Sequence, residues 1–568
     1  MSFTRESAGH RVAMLTALAM LCLYGCAAKT EGPAARQPAA ISQTSDSPRL
    51  YAGFGNYHRA VTTKSQEAQQ WFDQGMQLLY GFNHDEAIRS FRRAAEIDPS
   101  CAMAWWGVSY AHGLHINNPV MTEEQSRNGY EAAQQAMQRL QHASAPEQAL
   151  IRAVAQRYQW PAPEDRKPLD EAYAHAMQQA WKAHPNDPDI GALYAESLMD
   201  LQPWDLWTHD GEPKGRTLEI VDVLETVMAM SPRHPGANHF YIHTVEASPS
   251  PQRATASADL LQNLVPGSGH LVHMPSHIYV RTGRYAEAAE CNVRAVKADD
   301  AYFKVAPPPR FYSLYFMHNL HFLAYASMME GRYAPAIAAS RRIEREIPEQ
   351  FLRDYLKLAD GLTPTALHVM VRFGKWEDIL KEPAPPEHRL LSRAMRHYAR
   401  TVALSALDRT DEARSELAQF DEVAARVGDD WLMGNNPAQS VLPLARNMAA
   451  GELAFRENRR EEAFALLREA VKMEDELVYD EPPGWMQPVR HALGALLLAD
   501  DRAAEAEEVY RADLRKHPNN GWSLLGLASA LRAQDRGPDA EALQERVAAA
   551  WNRADVKPTS SCYCQPTR

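Results

Sequence analysis

Most of the chain repeats one pattern of small and large side chains about every 34 residues. In its first copy, Gly75 and Ala87 are small at positions where two antiparallel helices would touch, while Leu78 and Phe91 are large enough to fill the space between them. Pro99 then stands where the next unit begins, because proline is tolerated in the first turn of a helix. Alternating β-branched runs are nearly absent, so the pattern predicts an all-α chain of stacked helical hairpins.

These offsets resemble those of the tetratricopeptide repeat (TPR), and the same register returns along residues 68–554. The clearer copies lie at 269–302, 317–350, 444–477 and 487–520, and weaker copies lie at 102–135, 187–237, 238–268, 360–393, 394–427 and 521–554. With about eleven units, some of them degenerate and some with insertions, the resemblance implies an all-α TPR-type helix-turn-helix solenoid. It also implies a scaffold that binds a protein or peptide partner in its concave groove, although a fold alone does not determine a function.

Two segments, Gly55–His58 (GNYH) and His270–His277 (HLVHMPSH), are similar to segments of uncharacterised secreted TPR proteins, a likeness that supplies no activity. The repeats divide into N-terminal repeats at 51–237, central His-rich repeats at 238–350 and C-terminal repeats at 351–554, before a tail at 555–568. Insertions interrupt the period at 160–163, 202–207, 303–316 (with prolines at 307–309) and 479–485. We expect their aromatic residues to pin these loops to the solenoid.

The amino terminus has the features of an export signal. Basic residues precede an apolar run at 12–24, which is too short for a membrane-spanning helix of about 20 residues. The run ends in Leu-Tyr-Gly-Cys26, which resembles the lipobox of bacterial lipoproteins. The resemblance implies that 1–25 is a lipoprotein signal peptide, that Cys26 carries palmitate and a membrane anchor, and that 26–50 is a flexible tether. Ala27 then favours the outer membrane, facing the periplasm; the alternative is an ordinary secretory signal cut nearby.

Composition narrows the class of protein further. The chain has 568 residues, of which 45% are hydrophobic, and 60 basic against 72 acidic side chains give a net charge of −12. This excludes a disordered, collagen-like or polytopic membrane chain. A chain this acidic, without a long Lys/Arg run, is a poor nucleic-acid binder, so we expect no such partner. Six cysteines are too few for a disulfide scaffold, so an apolar core must hold the fold.

The histidines of the central repeats are the strongest functional signal. The chain has no HExxH, P-loop, GxSxG, CxxC or CxxCH motif. Instead, seven of its 22 histidines lie in three short segments, at 238–246, 270–277 and 318–321. A register set only from glycine, alanine and proline positions puts five of these histidines at the second or fifth position of three consecutive repeats. In TPR proteins those positions line the concave groove, so the sequence predicts a localised histidine patch.

Such a patch is suited to metal binding. Neighbouring helices pack about 8–10 Å apart, so imidazoles from adjacent repeats can converge on one ion. Three repeats are too wide for one ion to collect every histidine, so either one site uses a subset or two ions lie side by side. Histidine with at most one carboxylate favours Zn, Cu, Fe or Ni over Mg or Ca. The candidate ligands are His239, His243, Glu246, His270, His273, His277, His318 and His321.

Other functions remain open at this stage. The same patch could serve a metal-dependent enzyme, either a hydrolase or an oxidoreductase, or the chain could be a metal-free interaction scaffold. The groove positions also resemble those of carboxylate-clamp TPR domains, where histidine in place of lysine would make a clamp that strengthens in acid. The tail motif Cys562-Tyr563-Cys564 could bind Cu(I) or form a disulfide.

Overall fold

Antiparallel helix pairs account for most of residues 48–306 and 310–565, the residues that the computed structural model describes. The helices are α1 (Gln66–Tyr80), α2 (His84–Ile97), α3 (Ala102–Ala111), α4 (Glu123–Gln138), α5 (Ala145–Gln156), α6 (Lys167–Ala183), α7 (Pro188–Met199), α8 (Thr217–Met230), α9 (Pro235–Val245), α10 (Thr255–Leu261), α11 (Gly269–His273), α12 (Pro275–Arg281), α13 (Tyr285–Phe303), α14 (Ser313–Met329), α15 (Tyr333–Glu346), α16 (Glu349–Asp354), α17 (Leu356–Ala359), α18 (Thr365–Arg372), α19 (Trp376–Lys381), α20 (Leu390–Ala406), α21 (Thr410–Ala424), α22 (Ala438–Arg456), α23 (Arg460–Asp475), α24 (Val489–Ala499), α25 (Ala503–Lys516), α26 (Gly521–Arg532), α27 (Gly537–Glu541) and α28 (Gln544–Ala550). Short 3₁₀ helices cover Leu140–His142 and Pro251–Ala254, and β1 (Leu432–Met433) pairs antiparallel with β2 (Asn436–Pro437). The prediction of an all-α TPR-type solenoid is confirmed.

The contacts between helices follow the predicted repeat register. A Cβ atom added at Gly75 in α1 would lie 2.4 Å from the Phe91 ring of α2, and one at Gly107 in α3 would lie 2.5 Å from the same ring. In the C-terminal repeats, a Cβ atom at Gly494 would likewise lie 2.5 Å from Tyr510. Because the glycines leave room for a ring between neighbouring first helices, the pattern of small and large residues sets the packing.

A proline divides the helix that carries the central histidine motif. Pro275 has no backbone N–H, so the hydrogen-bonded run that begins with α11 is interrupted and α12 restarts at this residue. The Met274 N–H still donates to the carbonyl of His270 at 3.0 Å, which keeps the two helices connected. His273 and His277 therefore lie on either side of the break, four residues apart.

Both ends of the solenoid cover the central repeats. On the N-terminal side, the Gly267 N–H donates to the carbonyl of Gly53 at 2.8 Å. On the C-terminal side, the Trp522 indole donates to the carbonyl of Met328 at 2.9 Å. The first helices of the central repeats are thus buried, instead of lining the open groove that the repeat pattern suggests.

Some predictions concern residues outside the described ranges. These are the predicted signal peptide at 1–25, the predicted lipid attachment at Cys26 with most of the predicted tether, and the prolines at 307–309. Along the part of the chain that the structure describes, every helix is too short or too polar to cross a bilayer.

Candidate metal centre

Six of the eight candidate ligands form two compact groups. We call the first histidine site the group His239, His243 and His270, and the second histidine site the group His273, His277 and His318. Within each group, one nitrogen from each ring lies within 4.8 Å of the others. The rings come from α9, α11, α12 and α14, and all are buried except His318, which is partly exposed.

Hydrogen bonds at Nδ1 fix the orientation of two rings of the first histidine site. Nδ1 of His239 lies 2.7 Å from the Tyr80 carbonyl oxygen, and Nδ1 of His243 lies 2.7 Å from Oε1 of Glu246. Both partners are acceptors, so both Nδ1 atoms carry the proton and each Nε2 presents a lone pair. Nε2 of His239 faces Nε2 of His270 at 3.2 Å, whereas Nε2 of His243 has no hydrogen-bond partner.

The second site is fixed in the same way. Asn292 donates its amide Nδ2 to the Ala288 carbonyl at 2.8 Å, which turns its Oδ1 towards Nδ1 of His273 at 2.7 Å. Nδ1 of His277 lies 2.6 Å from Oε2 of Glu246. Nε2 of His273 and Nε2 of His277 then face each other at 2.8 Å. Two lone pairs at that distance repel each other unless a cation or a proton lies between them.

Glu246 connects the two sites. Its Oε1 accepts from His243 and its Oε2 accepts from His277, at 2.7 and 2.6 Å. Burial would raise the pKa of Glu246, but the charge and hydrogen bonds of the two imidazoles outweigh burial and lower its pKa to about 2. The carboxylate is thus ionised and orients one ring of each site, an arrangement common behind metal-ligating histidines.

Five of the six site histidines have pKa values below the usual range. Burial, followed by the charge of neighbouring imidazoles, lowers the pKa of His239, His270 and His273 well below its usual range. The same causes act on His318, and burial also lowers the pKa of His243 despite its bond to Glu246. Neutral imidazoles with free lone pairs are the form that binds metal ions.

Aromatic rings exclude water from both sites. Phe82 follows α1 and has a positive φ of 55°. The centroid of its ring lies 4.5 Å from that of His239 and 5.4 Å from that of His270. The Phe322 ring lies 5.1 Å from both His273 and His277. A backbone in the left-handed region is unusual for phenylalanine, so the structure around the site must hold Phe82 in place.

A cavity of about 160 Å³ lies beside both sites. Its wall includes His243 of the first site and His277 and His318 of the second. The insertion at 479–485 also contributes residues 480–484 to the wall. The ring centroid of Trp204, from the insertion at 202–207, lies 5.1 Å from that of His243. The cavity therefore adjoins histidines of both sites.

Two predicted ligands have other neighbours. His321 lines the cavity, but its Nε2 lies 3.2 Å from Sδ of Met486 and it belongs to neither three-histidine group. Both oxygens of Glu246 are engaged by Nδ1 atoms, so it supports the ligands from behind. Cys562 and Cys564 form a disulfide beside the buried Glu452, so the tail motif takes the second of its two predicted forms.

Several residues of the centre escaped sequence reasoning. Tyr80 contributes only a backbone carbonyl, and Asn292 lies on α13, the helix packed behind the histidine-bearing helices. Tyr479, whose hydroxyl donates to Glu246 at 3.3 Å, is more than 200 residues away in the chain. Of these three, Tyr479 carries a sequence signal, because it begins the insertion at 479–485 that interrupts the repeat period.

Comparison with known proteins adds no function. No protein-family model matches the chain, and no curated protein matches its sequence. Among solved structures, human IFIT1 with PPP-AAAA is 12% identical, covering 86% of this chain and 92% of that chain with a TM-score of 0.32. The Cut9–Hcn1 assembly is 11% identical over 86% and 74%, with a TM-score of 0.30, and yeast Tom70 is 10% identical over 86% and 91%, with a TM-score of 0.28. Scores this low carry no argument, and the fold assignment rests on the helix packing described above.

Proposed function

We propose that this protein is a TPR-type metalloprotein of the bacterial cell envelope that holds two transition-metal ions side by side. One ion is bound by the first histidine site, the other by the second, and Glu246 orients a ligand of each. Each site supplies three nitrogens, and a tetrahedral ion takes a fourth ligand. The fourth positions are then available to a molecule in the adjoining cavity, as in catalytic metal sites.

The observation that carries the proposal is the pair of facing nitrogens at 2.8 Å in the second site. Asn292 and Glu246 hold the protons of His273 and His277 on Nδ1, so a cation must lie near both Nε2 atoms. A single proton could satisfy two rings, but it offers nothing to the third ring, His318. An ion of about 2.0–2.1 Å bond length satisfies all three and displaces that proton.

The ligand set narrows the choice of metal. Imidazole suits Zn, Cu, Fe and Ni, whereas non-haem iron sites commonly include a carboxylate ligand. The carboxylate nearest to the histidines, Glu246, is occupied by two Nδ1 protons. The set therefore favours copper, zinc or nickel over iron.

Metal content tests the proposal directly. Protein purified without a His-tag is loaded with each of the four metals, dialysed and measured by elemental analysis. We expect two equivalents for the wild type and one equivalent for His273→Ala with His277→Ala. The matched control is His142→Ala, since His142 is exposed and belongs to neither site. Binding at the second site should release about one proton, measurable in weakly buffered solution.

A wild type that retains much less than one equivalent of every metal contradicts the proposal and favours a metal-free scaffold. Such a scaffold would bind a protein or peptide on the outer surfaces or at another part of the solenoid, because the central groove is covered. Pull-down with the metal-free protein and with the His273→Ala/His277→Ala variant would then give the same partners.

The envelope location rests on the sequence around Cys26. A lipid anchor at Cys26 would hold the metalloprotein at the outer membrane, facing the periplasm. Cys26→Ser should abolish incorporation of labelled palmitate and move the protein out of the membrane fraction. Unchanged labelling and fractionation would show that the proposed anchor at Cys26 is wrong. That result would not bear on the proposed metal centre.

A further inference from the structure

The cavity beside the metal centre has the size of one aromatic ring. Its volume is about 160 Å³, and apolar cavities near 150 Å³ accommodate benzene. Most of its wall is apolar: Leu314, Leu358, Leu362, Met433 and Met486. A flat, largely apolar ring therefore fits this space, whereas two fused rings do not.

One end of the cavity is polar and faces the metal centre. His243, His277 and His318 lie there, and each contributes a nitrogen to one of the two groups. A ring that fills the apolar part must therefore present a ligating atom at this end. An oxygen on the ring is a suitable atom, because it can occupy the fourth position of one or both ions.

The cavity wall also carries two acids, Asp480 and Glu481. Burial raises the pKa of Asp480 to about 7 and raises the pKa of Glu481 well above its usual range. The Tyr479 hydroxyl lies 3.2 Å from Oε1 of Glu481 and 3.3 Å from Oε2 of Glu246, so Glu481 lies close to the histidine sites. Oε2 of Glu481 has no hydrogen-bond partner and is free to pair with a hydroxyl group of a molecule in the cavity.

The ligand set distinguishes between metals. All six ligating atoms are imidazole nitrogens, and the carboxylate that contacts the rings, Glu246, accepts from their Nδ1 atoms. Of the candidate metals, divalent copper binds nitrogen ligands most tightly. Copper also has a readily accessible monovalent state, so a copper pair can accept two electrons from one molecule.

On the basis of the proposed metal pair, we infer that the ions are copper and that the cavity binds a single-ring diphenol, which the pair oxidises with dioxygen as the electron acceptor. The two hydroxyl oxygens approach the open positions and lose their protons. The diphenol gives up two electrons and becomes an o-quinone, and two copper(II) ions become copper(I). Two such turnovers supply the four electrons and four protons that reduce one dioxygen molecule to two waters.

The test uses the full-length copper-loaded protein with 4-methylcatechol as the probe. Quinone absorbance and an oxygen electrode should show saturable oxidation, with two diphenols consumed per dioxygen. A single-ring monophenol should compete with the probe and add a phenolate-to-copper absorption band. A two-ring naphthalenediol should be neither oxidised nor competitive, because the cavity is too small for it. Zinc-loaded protein should show no oxidation.

A cavity-filling variant locates the reaction. Leu362→Trp should keep two equivalents of copper but lower kcat/KM on the order of a hundredfold, because the probe no longer reaches the ions. Leu218→Trp is the matched control, since Leu218 is exposed and is not part of the cavity wall. If Leu362→Trp fails to fold, the size series on the wild type decides the same question.

The outcomes separate the two claims. Two equivalents of copper without oxidation, competition or a new absorption band overturn the diphenol inference and leave the metal pair intact. Two equivalents of zinc or nickel with no copper bound overturn the choice of copper. Oxidation of naphthalenediol at the same rate as the single-ring probe places the reaction outside the cavity. Failure to bind any metal overturns the proposed function itself.

Discussion

Buried histidines occur in both the central and the C-terminal repeats, but their ring nitrogens differ in their hydrogen-bond partners. In α24, Nε2 of His491 lies 2.9 Å from Oδ2 of Asp513, and its Nδ1 lies 3.1 Å from Nη1 of Arg372. Both nitrogens of that ring have protein partners. In the central repeats, His273 has a protein partner for Nδ1 only, and its Nε2 faces another lone pair.

The difference shows what marks a binding site in this molecule. Burial alone does not mark a binding site, because His491 is as deeply buried as His273. In His273, Nδ1 has a hydrogen-bond acceptor within the protein, whereas Nε2 faces another lone pair. A nitrogen in that position can bind a ligand that comes from outside the chain. The protein itself satisfies both nitrogens of the C-terminal histidine, whereas the central histidines are the ones that the proposed ions would bind.

Acidification of the metal-free protein should produce the largest contrast between the regions. The pKa of His321 is lowered by burial to about 3, below the usual value near 6.5, and the pKa values of most site histidines are also lowered. The unfolded chain therefore takes up these protons first. Their contribution to stability is complete above about pH 6.5 and is lost as the pH falls, by about 1.4 kcal/mol per histidine and pH unit.

Hydrogen exchange measures this contrast. Between pH 7 and pH 4, amides of α9 and α12 should lose protection before those of α24, which carries one histidine, His491. Burial lowers the pKa of His491 to about 4, and its ring is paired with Asp513. Exchange rates are first corrected for the intrinsic effect of pH. Equal loss in both regions would mean that the histidine cluster does not set the acid stability of the central repeats.

Metal loading should act in the opposite direction and on the same region. A ligand that binds only the folded state at about 1,000 times its Kd stabilises it by about 4 kcal/mol. Protection of α9, α11 and α12 should increase by an amount of this order, while that of α24 changes little. Equal protection of both regions on loading would indicate binding outside the two histidine sites.

Exchanging one histidine in each region for alanine should separate stability from metal binding. His491→Ala removes one buried partner each from Asp513 and Arg372. Asp513 keeps Ser523, and Arg372 keeps the Ser561 carbonyl. We therefore expect a loss on the order of 2 kcal/mol in unfolding free energy and full metal content. His273→Ala should lose one metal equivalent with a smaller loss of stability in the metal-free state. Thermal unfolding and elemental analysis of both variants check this pair. Loss of metal in His491→Ala, together with full metal content and a large loss of stability in His273→Ala, would contradict the distinction between structural and ligating histidines.

The sequence predicted the fold because the repeat is local. Gly75 and Phe91 are close in the chain, and their spacing alone specifies how two neighbouring helices pack. The approximate position of the histidine patch followed for the same reason, since a register describes which positions share a face. Whether any of these side chains binds a metal is a question that the register alone does not answer.

The contacts between distant repeats depend on how the whole solenoid curves. Small contributions from many repeats determine that curvature together. Tyr80 reaches His239 from 159 residues away, and Tyr479 reaches Glu246 from 233 residues away. No spacing within a single repeat encodes these contacts. The division of six histidines into two groups, the bridging position of Glu246 and the cover over the groove were therefore beyond reach of pattern reasoning.

The smallest expected effect concerns Asn292, which acts on one site through one ring. Its Oδ1 holds the proton of His273 on Nδ1, so Asn292→Ala should allow the ring to change tautomer and weaken metal binding at the second site by about 10- to 100-fold. Asn292→Asp keeps an acceptor at the same place and should retain the affinity. Competition titration with a chelator of known affinity resolves the two sites, and the first site serves as the internal reference. If alanine and aspartate variants bind equally well, the hydrogen bond from Nδ1 does not orient the ligand, and the comparison with His491 loses its physical basis.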